Sequence, residues 1–151
     1  WQEIWYSDVG SVGNPVQNLF SCPTAGFGGT DFEGCLGGNR GGGFGWDDMT
    51  VYKFGASYRL DDTWTLRGGY SFTDQPIDSS EVMFNILAPG VVEQHFTTGY
   101  THENANGNSW TVSLMYAPSE SVSGINPLDP AQTIEISMDE IDLEFSYRFG
   151  Q

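Results

Sequence analysis

Few residues of this chain are placed to do covalent chemistry. Its two histidines, His95 and His102, lie seven positions apart in a segment that alternates like a β-strand. An odd offset sends the two rings to opposite faces, which opposes a paired metal or acid–base site whose groups must converge on one atom. No Ser or Cys sits in a recognisable nucleophile setting, so no enzymatic activity is expected. The only cysteines are Cys22 and Cys35. With no histidine nearby they cannot complete a four-ligand zinc site. A disulfide clipping the Gly-rich stretch between them is the favoured reading and places that loop in an oxidising compartment; two unpaired thiols in a loose loop is the alternative. The glycine run 37–45 has the look of a phosphate cradle, but a strand pattern follows it where phosphate binding needs a helix N-terminus. It reads as a flexible rim loop.

Charge narrows the partners further. Twenty acidic residues against five basic ones give a formal net charge of −15, which argues against nucleic acid, whose phosphates need Lys and Arg. Most of the acids, including Asp47, Asp48, Asp61, Asp62, Glu81, Glu93, Glu120, Asp129, Asp139 and Glu140, fall outside the most regular segments. A solvated rim accounts for them, with a divalent-cation role at that rim as the alternative.

The elements that must position these residues are strands. Aromatics make up 15 % of the chain and glycine 20 of 151 residues, a composition that favours strands and tight turns. No stretch approaches the ~18 apolar residues of a membrane helix, so any membrane insertion must use strands. Period-two patterning marks six segments, at about 1–9, 50–60, 64–73, 95–102, 109–117 and 133–149. The last contains Ile141, Leu143, Phe145, Tyr147 and Phe149 alternating with Asp142, Glu144, Ser146 and Arg148, which makes one oily face and one charged face. A bend, or projection beyond a membrane, is expected before that strict alternation begins.

Connection lengths also alternate. Residues 61–63 and 103–108 are short, whereas about 10–49, 74–94 and 118–132 are long. Short turns at one end and long loops at the other are the arrangement of outer-membrane barrels. Trp64, Trp110, Tyr58, Tyr147 and Phe149 gather near the short-turn edge, as an interfacial aromatic girdle would; half-buried aromatics in a sandwich core are the alternative. Six strands do not close a barrel, and unpaired edges are costly in lipid. The fold class expected is therefore an all-β transmembrane antiparallel barrel, of which residues 1–151 form the C-terminal part.

Three stretches in order, Gly43-Phe44-Gly45-Trp46-Asp47-Asp48-Met49-Thr50-Val51-Tyr52-Lys53-Phe54-Gly55, Trp64-Thr65-Leu66-Arg67-Gly68-Gly69-Tyr70 and Phe84-Asn85-Ile86-Leu87-Ala88-Pro89-Gly90-Val91-Val92-Glu93, resemble the C-terminal part of the FadL family of outer-membrane long-chain fatty acid transporters. Trp5-Tyr6-Ser7-Asp8-Val9 and Tyr147-Arg148-Phe149 are similar too. The resemblance implies a 14-stranded barrel with an N-terminal plug, this chain supplying about the last six strands. It implies a bacterial outer-membrane location, surrounding lipid, a monomeric barrel when full length, and passive passage of long-chain fatty acids or other hydrophobic small molecules. The chain departs from the family pattern in ending Gly150-Gln151 after Phe149, and in its Cys22/Cys35 loop.

Such transport needs an apolar cavity and a few polar anchors, and no cofactor or metal. Of the five basic residues, Lys53 and Arg40 are nearest the long-loop side and are the preferred ligand anchors. The basic residues on the polar strand faces, Lys53, Arg59, Arg67 and Arg148, would pair with Asp142, Glu144 and plug residues or hold a fatty-acid carboxylate, counter-ion duty being the default for most. Arg59 and Arg148 lie close to the short turns. Phe44, Trp46, Phe84, Ile86 and Leu87 are loop apolar residues that could line an acyl-chain path, or pack loop against loop. A small complete barrel of about eight strands with a structural or adhesion role is the alternative. It needs two more strands, near 82–87 and in the Cys loop.

Overall fold

In a computed structural model describing residues 1–150, consecutive strands pair in order as a six-stranded antiparallel sheet. They are β1 (Gln2–Ile4), β2 (Met49–Arg59), β3 (Trp64–Thr73), β4 (Gln94–Glu103), β5 (Ser109–Ile125) and β6 (Thr133–Arg148). The long connections hold only one-turn helices, α1 (Gly10–Gly13) and α2 (Val82–Asn85), and short 3₁₀ turns. The protein is all-β. The two extra strands that a complete small barrel requires are not formed at the expected places: residues 82–85 are helical, and the Cys loop is a series of 3₁₀ turns.

Two boundaries differ from the pattern-based expectation. The first strand stops at Ile4, where residues 1–9 read as one strand. The Asp48 carboxylate accepts both the Ser7 backbone N–H and the Ser7 hydroxyl at 2.8 Å, drawing the chain into a turn. The fifth strand runs on to Ile125, where 118–132 reads as a loop. A β-bulge between Ala117 and Glu120 takes Pro118 out of the ladder, as a residue without an N–H requires. Only residues 126–132 remain as a turn, closed by the Asn126 N–H donating to the Gln132 carbonyl at 3.0 Å.

Below the bulge the register aligns residue types in rows across the sheet. Phe54, Tyr70, Phe96, Tyr116 and Ile141 are successive cross-strand partners, as are Ala56, Gly68, Thr98, Leu114 and Leu143. Nearest the short turns lies the row Trp64, His102, Trp110 and Tyr147. Rings touch along these rows: Tyr70 and Phe96 are 4.9 Å apart, Tyr52 stacks on Phe72 at 5.1 Å, and Trp64 meets Trp110 edge-on at 5.5 Å. One face thus carries two aromatic bands around a band of small and aliphatic residues, over roughly 27 Å of strand from Trp64 to Phe72 at the antiparallel rise of about 3.4 Å per residue. Nothing among the described residues covers it: Phe54 is 63 % exposed, Phe145 66 % and Leu143 70 %.

The hydrophobic core lies elsewhere. Ile77, Val82, Val91 and Ile136 are buried together, with Trp46, Val122, Ile134 and Met138 packed against them. This core joins the 74–93 connection to the part of the β5–β6 hairpin beyond the bulge. Ile134, Ile136 and Met138 share strand parity with Glu140, Asp142 and Glu144, so the face of β6 that is charged below the bulge becomes apolar above it. The opposite face changes the other way, from Phe145, Leu143 and Ile141 to Asp139, Ser137 and Glu135. Pairing Met138, Ile136 and Ile134 with Glu120, Val122 and Gly124 continues the inversion into β5.

Candidate functional site: the inner wall and the loop cap

The face opposite the aromatic bands is polar and concave, with a cavity of about 720 Å³. Lys53 and Arg67, on β2 and β3, stand on one side of it, and Asp142 and Glu144, on β6, on the other. Gly55, Gly69 and Gly99 keep the floor low between them. At Gly55 a Cβ would meet only the Gly68 carbonyl, at 3.8 Å, so strand packing leaves space there.

The expected counter-ion pattern is largely replaced by other contacts. Arg67 donates to the Thr101 hydroxyl at 2.5 Å, and Thr101 in turn bonds Thr111 at 2.8 Å. Arg59 clasps the carbonyls of Asp61 and Asp62 at 3.2 and 3.1 Å, bracing the short turn. Arg148 approaches Glu103 at 4.0 Å, and neither Asp142 nor Glu144 forms an ion pair among the described residues. Lys53 lines the concavity and donates to Gln2 Oε1 at 2.9 Å.

Arg40, the second preferred anchor, is committed within its own loop. Its guanidinium is bidentate on Asp31, with Nη2 2.9 Å from Oδ2 and 3.0 Å from Oδ1. That hydrogen bond holds the Asp31 carboxyl below the usual aspartate range. Cys22 and Cys35 form a disulfide in the same loop, so the ion pair and the disulfide brace one small exposed unit. The structure does not bring Arg40 to the inner wall.

Above the wall, the connections 5–48 and 74–93 pack into a cap. Asn85, fully buried, is its hub: Oδ1 accepts the Trp46 indole N–H at 2.5 Å, and Nδ2 donates to the carbonyls of Phe44 at 2.7 Å and Glu81 at 2.9 Å. The buried Glu81 carboxylate accepts the Val16 N–H at 2.8 Å. Gly45 passes beside it with φ of 65°, where a Cβ would collide with the Glu81 side chain. Trp46 also bridges to Ile77 and meets Tyr6 edge-on at 5.0 Å.

Of the apolar residues expected on a ligand path, Phe44 and Trp46 therefore serve the cap, and Phe84 is half-buried on α2. Ile86 and Leu87 protrude, Leu87 being 81 % exposed. A second cavity of about 270 Å³ opens between cap and wall, with Trp46, Met49, Pro76, Val92, His95, Met138 and Glu140 in its lining. Of these only Trp46 is expected on a ligand path from the sequence. Met49, Pro76, Val92 and Met138 come from separate segments, and no spacing rule links them.

The two histidines take opposite faces. His95 lies 3.5 Å from the Ser71 hydroxyl on the inner wall, whereas the His102 ring sits 4.0 Å from Trp64 in the aromatic band. Among the described residues no group of three or more His, Cys, Asp or Glu side chains could hold a metal ion. Comparisons with known protein families, curated proteins and solved structures give no match to this chain.

Proposed function

We propose that this chain is the closing part of an outer-membrane β-barrel that passes hydrophobic compounds. The observation that carries this reading is the inversion of polarity across the β5–β6 bulge. A strand crossing lipid must face hydrocarbon outside and may be polar inside, whereas a strand in water hides its apolar side. The hairpin follows the first rule below the bulge and the second above it. The bulge thus marks the outer membrane boundary, and the cap stands beyond it. Two bands of aromatic rings around a smaller apolar band agree with a headgroup–hydrocarbon–headgroup profile.

β6 presents a free edge along Thr133–Arg148. In lipid each unpaired backbone group costs several kcal/mol, so in the full-length protein that edge pairs with a first strand to close the barrel, in the 14-stranded form that the family resemblance implies. Transport rather than a purely structural role is supported by the open inner wall and the cap with its apolar cavity. Long-chain fatty acids are the ligand class drawn from the resemblance. Lys53 and Arg67, neither in an ion pair among the described residues, are the wall cations that a carboxylate would meet. The test is uptake: cells expressing the full-length protein should accumulate labelled hydrophobic compounds faster than cells lacking it. Equal rates would refute transport while leaving membrane insertion standing.

A further inference from the structure

We propose that the row Trp64, His102, Trp110 and Tyr147 binds the phosphodiester of a phospholipid headgroup at the short-turn end of the wall, with His102 as the cation. This rests on the membrane reading above and names a partner for the outer face. The four residues are successive cross-strand partners on β3, β4, β5 and β6. The His102 imidazole lies 4.0 Å from the Trp64 ring and 5.8 Å from that of Trp110, and the two indoles meet edge-on at 5.5 Å. Its Nδ1 is buried, and it is the only enclosed side-chain nitrogen or oxygen without a hydrogen-bond partner among the described residues. Nε2 is not enclosed, and none of the described residues bonds to it. Trp64 and Trp110 are half-buried and Tyr147 is exposed, and neither the indole N–H groups nor the hydroxyl has a partner among the described residues.

Only one end of the wall has this chemistry. The band nearer the bulge, with Phe54, Tyr70, Phe96, Tyr116 and Ile141, has no Trp or His, and its Tyr70 hydroxyl is taken by Gln94 at 2.9 Å. The short-turn row combines four donor side chains, no carboxylate and one ring that takes a positive charge near neutral pH. Charges beside it are engaged elsewhere. Asp61 Oδ1 accepts the Thr63 and Trp64 N–H groups at 2.7 and 2.9 Å, Arg59 is bonded to the carbonyls of Asp61 and Asp62, and Glu103 and Arg148 approach each other on the inner wall. The cap stands beyond the other end of the wall, so this row meets the leaflet on the short-turn side, where headgroups lie at the depth that Trp and Tyr favour. Protonation of the imidazole turns its bond to a phosphodiester into a charge-assisted one, and the flanking ring faces favour the cation as well. The contact therefore tightens on acidification, a dependence that a girdle of rings alone does not have.

The test uses the full-length protein, its histidines labelled with nitrogen-15, in phosphatidylcholine vesicles, whose headgroups carry the phosphodiester without net charge. Solid-state NMR should show the His102 ring nitrogen dephased by lipid phosphorus, about twofold more strongly at pH 5.5 than at pH 8. His95, on the inner wall, is the internal control and should respond at neither pH, and a His102→Gln variant assigns the two signals. Trp110→Phe, which keeps a ring and removes the N–H, should weaken the dephasing. Inorganic phosphate added to the protein in dodecyl maltoside micelles should not reproduce it. No dephasing at His102 in vesicles, dephasing equal at the two pH values or unchanged by Trp110→Phe, or an equal effect from inorganic phosphate would each overturn the proposal. A silent His102 in a protein whose Leu143 faces lipid counts against this site alone, whereas a water-exposed Leu143 refutes the membrane reading together with it.

Discussion

The Trp46 indole N–H donates to Asn85 Oδ1 at 2.5 Å, and through this bond the entry to β2 is tied to the middle of the 74–93 connection. Asn85→Ala would leave that N–H and the Phe44 carbonyl without their partner inside the cap. A buried group left unsatisfied costs about 1–3 kcal/mol. We expect faster hydrogen exchange and proteolysis in residues 74–93, with the heat-modifiable barrel band on gels unchanged. Unaltered exchange there would show that Asn85 is not the hub.

Gly45→Ala tests the same junction from the backbone. Its φ is 65°, a conformation that costs an L-residue about 1–2 kcal/mol, and the new Cβ would press on Glu81. Cap stability should fall by more than the dihedral cost alone, and Glu81→Ala in the same chain should recover part of the loss. A double-mutant cycle on cap unfolding measures the coupling.

Opening the Cys22–Cys35 bridge should loosen one loop and little else. Thirteen positions separate the cysteines, and closing a loop of that order restricts the unfolded chain by about 3 kcal/mol in the chain-entropy model. With Cys22→Ser and Cys35→Ser together, chymotrypsin should cut at Phe27 or Phe32 first, both being exposed. Protection equal to that of the oxidised protein would contradict this.

Acid should act on the cap with a definite sign. The Glu93 carboxyl is raised chiefly by burial, then by Glu120 and Asp74. A raised carboxyl favours the folded cap when protonated and opposes it when ionised, so the stabilising contribution is lost as pH rises through the folded pKa. Glu93→Gln should therefore raise the cap's melting temperature at pH 7, and the gain should vanish below the ordinary glutamate range. Asp31 has the opposite sign: the Arg40 hydrogen bond lowers its pKa, and that contribution is lost only as pH falls through the lowered value.

The parts legible in the sequence are those where one rule acts on adjacent residues. Alternation locates β2, β3, β4, the lower half of β5 and β6 from Thr133 onward, because the two faces of each strand differ in polarity at successive residues. It failed at residues 118–125, where Pro118 reads as a loop signal and the bulge resets the parity. Cys22 and Cys35 were readable as a pair because nothing else nearby could use them. The cap was not readable: Ile77, Val82, Val91 and Ile136 meet only through the tertiary fold, and neither Asn85 nor Glu81 carries a local mark of burial. The pairing of Arg40 with Asp31 is local to one loop, yet no spacing rule singles it out among the many acids there.

Membrane insertion itself is tested most directly at two adjacent residues of β6. In the full-length protein in lipid vesicles, single cysteines at Leu143 and Asp142 can be compared on a background of Cys22→Ser and Cys35→Ser. We expect a nitroxide at position 143 to be relaxed by oxygen dissolved in the lipid and shielded from a water-soluble nickel chelate, and one at position 142 to show the reverse. Equal access of both positions to the chelate, or position 143 exposed to water and 142 to lipid, would contradict a barrel wall with its aromatic face in the membrane.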